Sequence, residues 1–149
     1  MNTLVRTPND GLQAFLRVAL GVIIFPHGAQ KLLGWFGGNG YAGTVGFFES
    51  QLGIPPVVSL LVILIEFFGG LMLIFGVFSR LAALGIIANM LGAMFLVHLP
   101  NGFFWTNGGV EIHLLIIAVA LVVVLRGGGA LSFDQALSER QAAGRLQSA

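Results

Sequence analysis

Residues 57–99 form a nearly continuous apolar tract, and this tract constrains the fold more than any other feature of the sequence. It is about twice as long as the roughly 20 apolar residues that one helix needs to cross a bilayer. After Gly76 the tract is interrupted by Phe78, Ser79 and Arg80. A short break between two apolar stretches predicts a tight hairpin of two membrane-spanning helices.

Two further apolar stretches flank this hairpin, so the sequence predicts an all-α membrane protein, a four-transmembrane-helix bundle. Hydrophobic residues make up 56% of the chain and charged residues only 9%, whereas soluble domains carry about 25% charged residues. We expect a single transmembrane domain over residues 1–134 and a tail at 135–149. The predicted spans are residues 12–33, 57–78, 81–99 and 108–125.

Basic residues are distributed unequally between the two sides of these spans. Cytoplasmic segments of membrane proteins are enriched in Lys and Arg, and only Lys31 falls on the side opposite to the termini. Both termini and the hairpin are therefore predicted to be cytoplasmic, and so is the tail. The residues on that side are Arg6, Arg17, Arg80, Arg126, Arg140 and Arg145.

The first apolar stretch has an alternative interpretation as a cleaved secretory signal, because Arg6 precedes it. Signal cleavage requires small residues at two positions before the cut. The bulky His27 interrupts that pattern around Gly28 and Ala29. We therefore interpret the stretch as a span.

The first outer loop, residues 34–56, is rich in glycine and then in aromatic residues. Aromatic side chains favour the headgroup level of a bilayer, so the loop is predicted to contain a short interfacial helix at residues 43–52. Gly37, Gly38 and Gly40 superficially resemble a phosphate loop. No strand is predicted before them and no Lys-Ser/Thr pair follows, so a flexible turn is the better interpretation.

Charge and cysteine content exclude several classes of function. The net charge is +1, so the chain has no basic field for nucleic acid. It contains no cysteine, which excludes thiolate metal sites and internal dithiol relays. Histidines on three helices could in principle hold zinc or haem, but no ligand motif is visible, and we expect neither group.

Six ionisable residues are predicted to lie in the outer half of the bundle. Such a side chain inside a span costs about 2.5–3.5 kcal/mol and needs a partner, water or a route to the surface. Glu66 lies about 13 Å deep and His27 about 9 Å deep at 1.5 Å per residue. In the inner half we expect Arg17 to snorkel to the surface. The six residues are His27, Lys31, Glu66, His98, Glu111 and His113.

Each of these residues also has a structural interpretation. Lys31 would snorkel to the outer headgroups, and His98 and His113 would be hydrated interfacial histidines. Glu111 would complement the positive end of a helix dipole. For Glu66 the structural interpretation is an ion pair with Lys31 or His27. Asn89, on a face of small residues, would hydrogen-bond across a helix contact.

Several motifs together resemble the DoxX family, over about residues 17–134. The resemblance implies a bacterial inner-membrane protein of four spans with a redox-linked role. Related DoxD proteins belong to thiosulfate:quinone oxidoreductase, and a mycobacterial DoxX associates with superoxide dismutase and a sulfurtransferase. The motifs are Arg17, FPHGAQKL at 25–32, GWFGGNG at 34–40, Glu66 before Gly69-Gly70, Gly76 with Arg80, His98 before Asn101-Gly102-Phe103-Phe104, and Gly109-Val110-Glu111.

We therefore expect a membrane redox subunit that binds a quinone or similar amphiphile in the outer half of the bundle. His27 and Lys31 would polarise a carbonyl oxygen and Glu66 would transfer protons, so these three are the candidate catalytic residues. No flavin, haem or cluster motif is present, so a redox partner protein would supply electrons. The candidate ligand-binding residues are His98, Glu111, His113 and Arg17.

Two other classes of function stay open. The first is a non-catalytic membrane scaffold that docks or stabilises partner enzymes, with the polar cluster as an internal ion-pair network. The second, a small solute carrier, is disfavoured because four spans without a visible repeat leave little room for alternating access. Association into a homo-oligomer would add further spans and so weaken this objection to a carrier.

Overall fold

The computed structural model describes residues 5–146, with side chains described as far as residue 143. Every regular element in this part of the chain is helical, as predicted. Short 3-10 turns occur at Trp35–Gly37, Leu99–Asn101 and Trp105–Asn107. The helices are α1 (Gly11–Leu33), α2 (Gly40–Leu52), α3 (Pro56–Phe75), α4 (Ser79–Ala93, continued by a π-helical segment at Met94–His98), α5 (Glu111–Arg126) and α6 (Phe133–Leu146).

Three helical stretches are long and apolar enough to cross a membrane: Gly11–Leu33, Pro56–Phe75 and Ser79–Asn101. They correspond to the first three predicted spans. The fourth predicted span, residues 108–125, starts too early, because α5 begins at Glu111 and has 16 residues. The backbone before it is bonded to the preceding loop: Val110 donates to Gly102 O over 3.1 Å and Glu111 to Phe103 O over 2.9 Å.

The predicted hairpin is present between α3 and α4, but α3 ends at Phe75 rather than at residue 78. Gly76 adopts a left-handed backbone with φ of 69° and ends the helix. Such a conformation is accessible to glycine without the steric cost that a side chain imposes. A helix is also present where the interfacial helix is predicted: it is α2, which begins three residues earlier than expected, at Gly40. Its position at the membrane interface stays a prediction.

The four helices α1, α3, α4 and α5 pack side by side in a closed order: α1 contacts α3 and α5, and α4 contacts the same two helices. We call this arrangement the helical bundle. Many large apolar side chains on its outer surface are exposed, including Phe15, Leu61 and Phe95. An apolar exterior of this kind matches a lipid surrounding. The buried core consists of Leu20, Ile24, Leu73, Ala82, Ala83, Ile86, Met90, Ala120 and Val123.

Helices α1 and α3 approach each other closely through glycines. A Cβ atom at Gly28 would overlap the backbone of Phe67, and one at Gly70 would lie 2.8 Å from the Cα of Phe25. Glycines at helix contacts allow backbones to meet without intervening side chains. The contact places the chain around Gly28 directly beside Glu66.

The stretch expected as a tail forms α6 from Phe133 to Leu146. Residues 147–149 of that expected tail lie outside the described residues. Asp134, in the first turn of α6, is 1% exposed and packs against the α3–α4 turn. The beginning of α6 is thus attached to the helical bundle.

Substitution Gly28→Ala should destabilise the protein by about 1–3 kcal/mol or more, because the added methyl group overlaps the backbone of α3. The matched control is Gly92→Ala on α4, where a Cβ would meet nothing within 4 Å. There the higher helix propensity of alanine should leave stability equal or raised. Thermal unfolding in detergent, followed by circular dichroism, measures both. Equal unfolding temperatures for the two variants would contradict the close helix contact.

Candidate functional site

The candidate site is centred on Glu66, a carboxylate that is 5% exposed in the middle of α3. Its Oε2 atom forms an ion pair with Nζ of Lys31 on α1. Its Oε1 atom accepts a hydrogen bond of 3.1 Å from Nδ2 of Asn89 on α4. Each carboxylate oxygen is therefore bonded to a different neighbouring helix. We call Lys31, Glu66 and Asn89 the carboxylate cluster.

The local sequence explains how Lys31 reaches Glu66. Lys31 lies three residues after Gly28, which is close to one helical turn, so both residues share a face of α1. Because Gly28 abuts the backbone at Glu66 and Phe67, the lysine stem needs to extend only about one turn along α1. The C-terminal end of α1 is further held by Thr44 of α2, whose hydroxyl donates to the carbonyl of Lys31 over 3.3 Å.

Asn89 is a member of the cluster that sequence reasoning did not place there. The sequence predicts a hydrogen bond of Asn89 across a helix contact, which the structure confirms, but it does not predict Glu66 as the partner. The available signal was a polar side chain inside an apolar helix, at a depth comparable with Glu66. An amide that bonds a buried carboxylate lowers the cost of keeping that carboxylate inside the protein.

The two charged partners differ in accessibility. The side chain of Glu66 is 6% exposed, whereas that of Lys31 is 26% exposed. The Lys31 side chain is therefore partly open to the outside of the bundle, while the Glu66 side chain is covered. A lysine in this position offers a donor with three N–H groups, of which Glu66 occupies one.

His98 and His113 form a second cluster rather than joining the first. Their ring centroids lie 4.2 Å apart with a tilt of 41°. His98 ends the π-helical segment that follows α4, and its Nδ1 is 2.6 Å from Gly108 O. In the described chain His113 Nδ1 is buried with no hydrogen-bond partner. We call these two residues the histidine pair.

No hydrogen bond or ion pair joins Glu111 or His27 to the carboxylate cluster within the described residues. Glu111 occupies the first turn of α5, and its Oε2 accepts a 3.1 Å hydrogen bond from the backbone of Trp105. His27 is exposed on α1. Hydrogen bonds and ring contacts thus group the six residues into a carboxylate cluster, a histidine pair and two separate side chains; their common position in the outer half of the bundle stays a prediction.

Arg17 does not snorkel as expected. It is 1% exposed, and its guanidinium is directed into the protein at the opposite end of the bundle from Lys31. It donates to Leu73 O over 2.5 Å, Ile74 O over 2.8 Å and Gly128 O over 2.6 Å. These carbonyls lie at the C-terminal end of α3 and in the turn after α5. They accept hydrogen bonds from the guanidinium N–H groups, so Arg17 does not need to reach the membrane surface.

Asp134 is a third buried charge, after Glu66 and Arg17, and sequence reasoning missed it. Its Oδ1 and Oδ2 accept hydrogen bonds from the backbone N–H groups of Phe78 and Ser79, both over 2.8 Å. An acid at the start of α4 compensates the positive end of that helix, while Arg17 compensates the negative end of α3. The available signal was a lone acidic residue just beyond a glycine-rich turn.

The described residues contain no group of three or more His, Cys, Asp or Glu side chains arranged to hold a metal ion. In the carboxylate cluster, the Lys31 ammonium and the Asn89 amide N–H both donate to the Glu66 carboxylate.

Comparison with known proteins gives one matching family, whose model is described as DoxX and matches residues 12–99. A Bacillus subtilis (strain 168) protein named "Putative oxidoreductase CatD" is 30% identical over 119 residues, covering 80% of this chain and 81% of that protein. The Escherichia coli (strain K12) "Inner membrane protein YqjF" is 36% identical over 108 residues, covering 72% and 82%. No solved structure matches.

The buried ion pair predicts a strongly non-additive mutant cycle. Lys31→Met leaves the Glu66 carboxylate without its counter-charge and should destabilise the protein by about 3–5 kcal/mol. The double variant Lys31→Met/Glu66→Gln should lose much less than the sum of the single variants. Denaturant unfolding in detergent measures all three.

The matched control is Arg126→Met, which breaks an ion pair of 3.2 Å between Arg126 and Asp10. The Arg126 side chain is 59% exposed, so its loss should cost at most about 1 kcal/mol. An additive cycle, or equal costs for Lys31→Met and Arg126→Met, would show that Lys31 and Glu66 are not coupled inside the bundle.

Proposed function

This chain belongs to the DoxX family, and on that premise we propose that it is a membrane redox subunit that binds a quinone or a similar amphiphile at the carboxylate cluster. A relative that covers most of this chain carries an oxidoreductase name. The single observation that carries the proposal is the pairing of a covered carboxylate with a partly exposed lysine. A charge pair inside an apolar bundle is costly to maintain, and such residues commonly mark functional sites.

Reduction of a quinone consumes two electrons and two protons and gives a quinol. In this proposal the Lys31 ammonium donates a hydrogen bond to one carbonyl oxygen of the ring. The ammonium gives a proton to the reduced ring, and the Glu66 carboxylate bonded to it relays a replacement proton taken up from outer water. A second transfer of the same kind supplies the second proton, and both residues return to their starting protonation states. The electrons come from a redox partner protein. General acid–base groups act over such hydrogen-bonded distances.

His27 is placed beside this ligand by helix geometry. It lies four residues before Lys31 on α1, so the two side chains are neighbours on the helix surface. His27 is exposed, and its free imidazole would face the second polar atom of a ligand that enters from the lipid. The histidine pair and Glu111 lie at the same end of the bundle, and we propose that they link the site to outer water.

A second candidate function, the scaffold, is favoured by one observation. Both oxygens of Glu66 are bonded within the protein, to Lys31 and Asn89. A fully bonded carboxylate can serve solely to fix the packing of α1, α3 and α4. In that case the surface of the bundle would dock partner enzymes, and the cluster would have no ligand.

We further propose that α5 is a fourth span and that both termini are cytoplasmic in a bacterial inner membrane. Helix α5 has 16 residues, or about 24 Å at 1.5 Å per residue, which a slightly thinned bilayer accommodates. It packs against α1 and α4 along the bundle. Arg6, Arg80 and Arg126 lie together at one end, which supports a cytoplasmic assignment of that end.

Binding of a short-chain ubiquinone to the purified protein tests the main proposal. Quenching of tryptophan fluorescence should report saturable binding in the wild type. Lys31→Gln should weaken this binding about tenfold, because a hydrogen bond from a charged donor is lost. The matched control is Arg140→Gln, on the exposed face of α6, which should bind as the wild type does.

Glu66→Gln separates the two candidate functions. If the proposal is correct, partner-dependent quinone reduction falls while the protein still accumulates in the membrane. Unchanged ubiquinone binding and unchanged electron transfer in this variant would contradict the catalytic role. Lower abundance with unchanged transfer would favour the scaffold.

The topology can be tested by cysteine labelling, since the chain contains no native cysteine. Ser50→Cys in α2 should react with a membrane-impermeant maleimide in intact spheroplasts. Ala142→Cys in α6 should react only after permeabilisation, because that helix is proposed to be cytoplasmic. Both positions are exposed. Labelling of Ala142→Cys in intact spheroplasts would contradict the four-span arrangement.

A further inference from the structure

A groove of about 630 Å³ lies between α4 and α5 at the end of the bundle opposite Lys31. We call it the arginine groove. Arg80 and Leu84 line it from α4, and Val124, Leu125 and Arg126 line it from α5. Arg6, from the segment before α1, completes the polar end. None of these residues takes part in the proposed redox site.

The polar end of the arginine groove carries uncompensated positive charge. Arg80 donates to three backbone carbonyls, of Val124, Leu125 and Arg6. Carbonyl oxygens satisfy its N–H groups but do not neutralise its charge. Among the described residues, the carboxylate paired with these arginines is Asp10, bonded to Arg126. Three arginines thus line the groove, and one carboxylate is paired with them.

One hydrogen-bond donor of Arg80 has no acceptor among the described residues. The Nε atom of Arg80 is buried without a hydrogen-bond partner among residues 5–146. Buried donors in folded proteins nearly always have a partner. A ligand acceptor that enters the groove is one way to provide it.

The remainder of the groove is apolar and faces outward along the bundle. Leu84 is 48% exposed and Leu125 is 74% exposed. Leu84 lies one turn beyond Arg80, and Val124 and Leu125 directly precede Arg126, so on both helices the apolar surface runs from the arginines towards the middle of the bundle. A cationic end joined to an apolar channel matches an anionic headgroup joined to an acyl chain.

We propose that the arginine groove binds one anionic phospholipid. Its phosphate lies among Arg6, Arg80 and Arg126, and one acyl chain lies along Leu84 and Leu125. The occupant is a lipid rather than free phosphate, because a small anion would leave the apolar half of the groove unoccupied. Binding would tie the segment before α1 to α4 and α5.

Native mass spectrometry of the full chain in detergent tests this proposal, with phosphatidylglycerol and phosphatidylcholine as probes. Phosphatidylglycerol should bind one molecule per chain more tightly than phosphatidylcholine. Arg6→Gln and Arg126→Gln should each weaken this binding about fivefold, the usual contribution of one basic residue near an anionic lipid surface. Arg140→Gln on α6 is the matched control and should have no effect.

The variant Asp10→Asn should change the affinity for phosphatidylglycerol in the opposite direction. It removes the competing anion beside Arg126 while asparagine still caps α1. Its affinity for phosphatidylglycerol should rise several-fold, a result that loss of folding cannot produce. Arg80 is left unchanged because it caps α5.

Three results would overturn the proposal. The first is equal affinity for phosphatidylglycerol and phosphatidylcholine. The second is an equal loss of binding in Arg140→Gln and Arg126→Gln, which would indicate a diffuse charge effect. The third is displacement of phosphatidylglycerol by millimolar inorganic phosphate, which would identify a site for a free anion instead of a lipid.

Discussion

The structure depends on one constraint: a charge enclosed in an apolar bundle must be bonded within the protein. Arg17, Glu66 and Asp134 are nearly inaccessible to solvent, and each is bonded by groups from other parts of the chain. Leaving any of them unbonded would cost several kcal/mol. Helix ends and side-chain contacts are therefore arranged around these three residues.

The two ends of the bundle meet this constraint differently. At the end near Arg17, charged side chains bond backbone groups at helix termini, so that α3, α4 and the turn after α5 are locked together. At the other end, Glu66 bonds side chains of Lys31 and Asn89. Side-chain partners can exchange protons and ligands, whereas backbone caps cannot. This difference supports the proposal of chemistry at Glu66 and is consistent with a structural role for Arg17.

Much of the fold could be predicted from hydropathy alone, because span length and apolar composition are fixed by bilayer thickness. The hairpin after Gly76 and three candidate spans follow in this way, whereas α2 is predicted from the aromatic residues of its loop. The start of α5 could not be predicted in this way. The backbone N–H groups at residues 110 and 111 donate to carbonyls of the loop at residues 102–104, which hydropathy does not reveal. For the site, depth along each span predicted Glu66 with Lys31 but not rotation about the helix axis. That rotation turns Arg17 inward, and it pairs His98 with His113 rather than with the carboxylate cluster.

The contact between Lys31 and Glu66 is the central claim, and the chain allows it to be measured directly because Lys31 is its only lysine. Labelling lysine Nζ with ¹⁵N and glutamate Cδ with ¹³C permits a rotational-echo distance measurement in bilayers. The account predicts strong dephasing at a distance within hydrogen-bonding range, which disappears in Glu66→Gln. Absence of dephasing in the wild type, or its persistence in Glu66→Gln, would contradict the account.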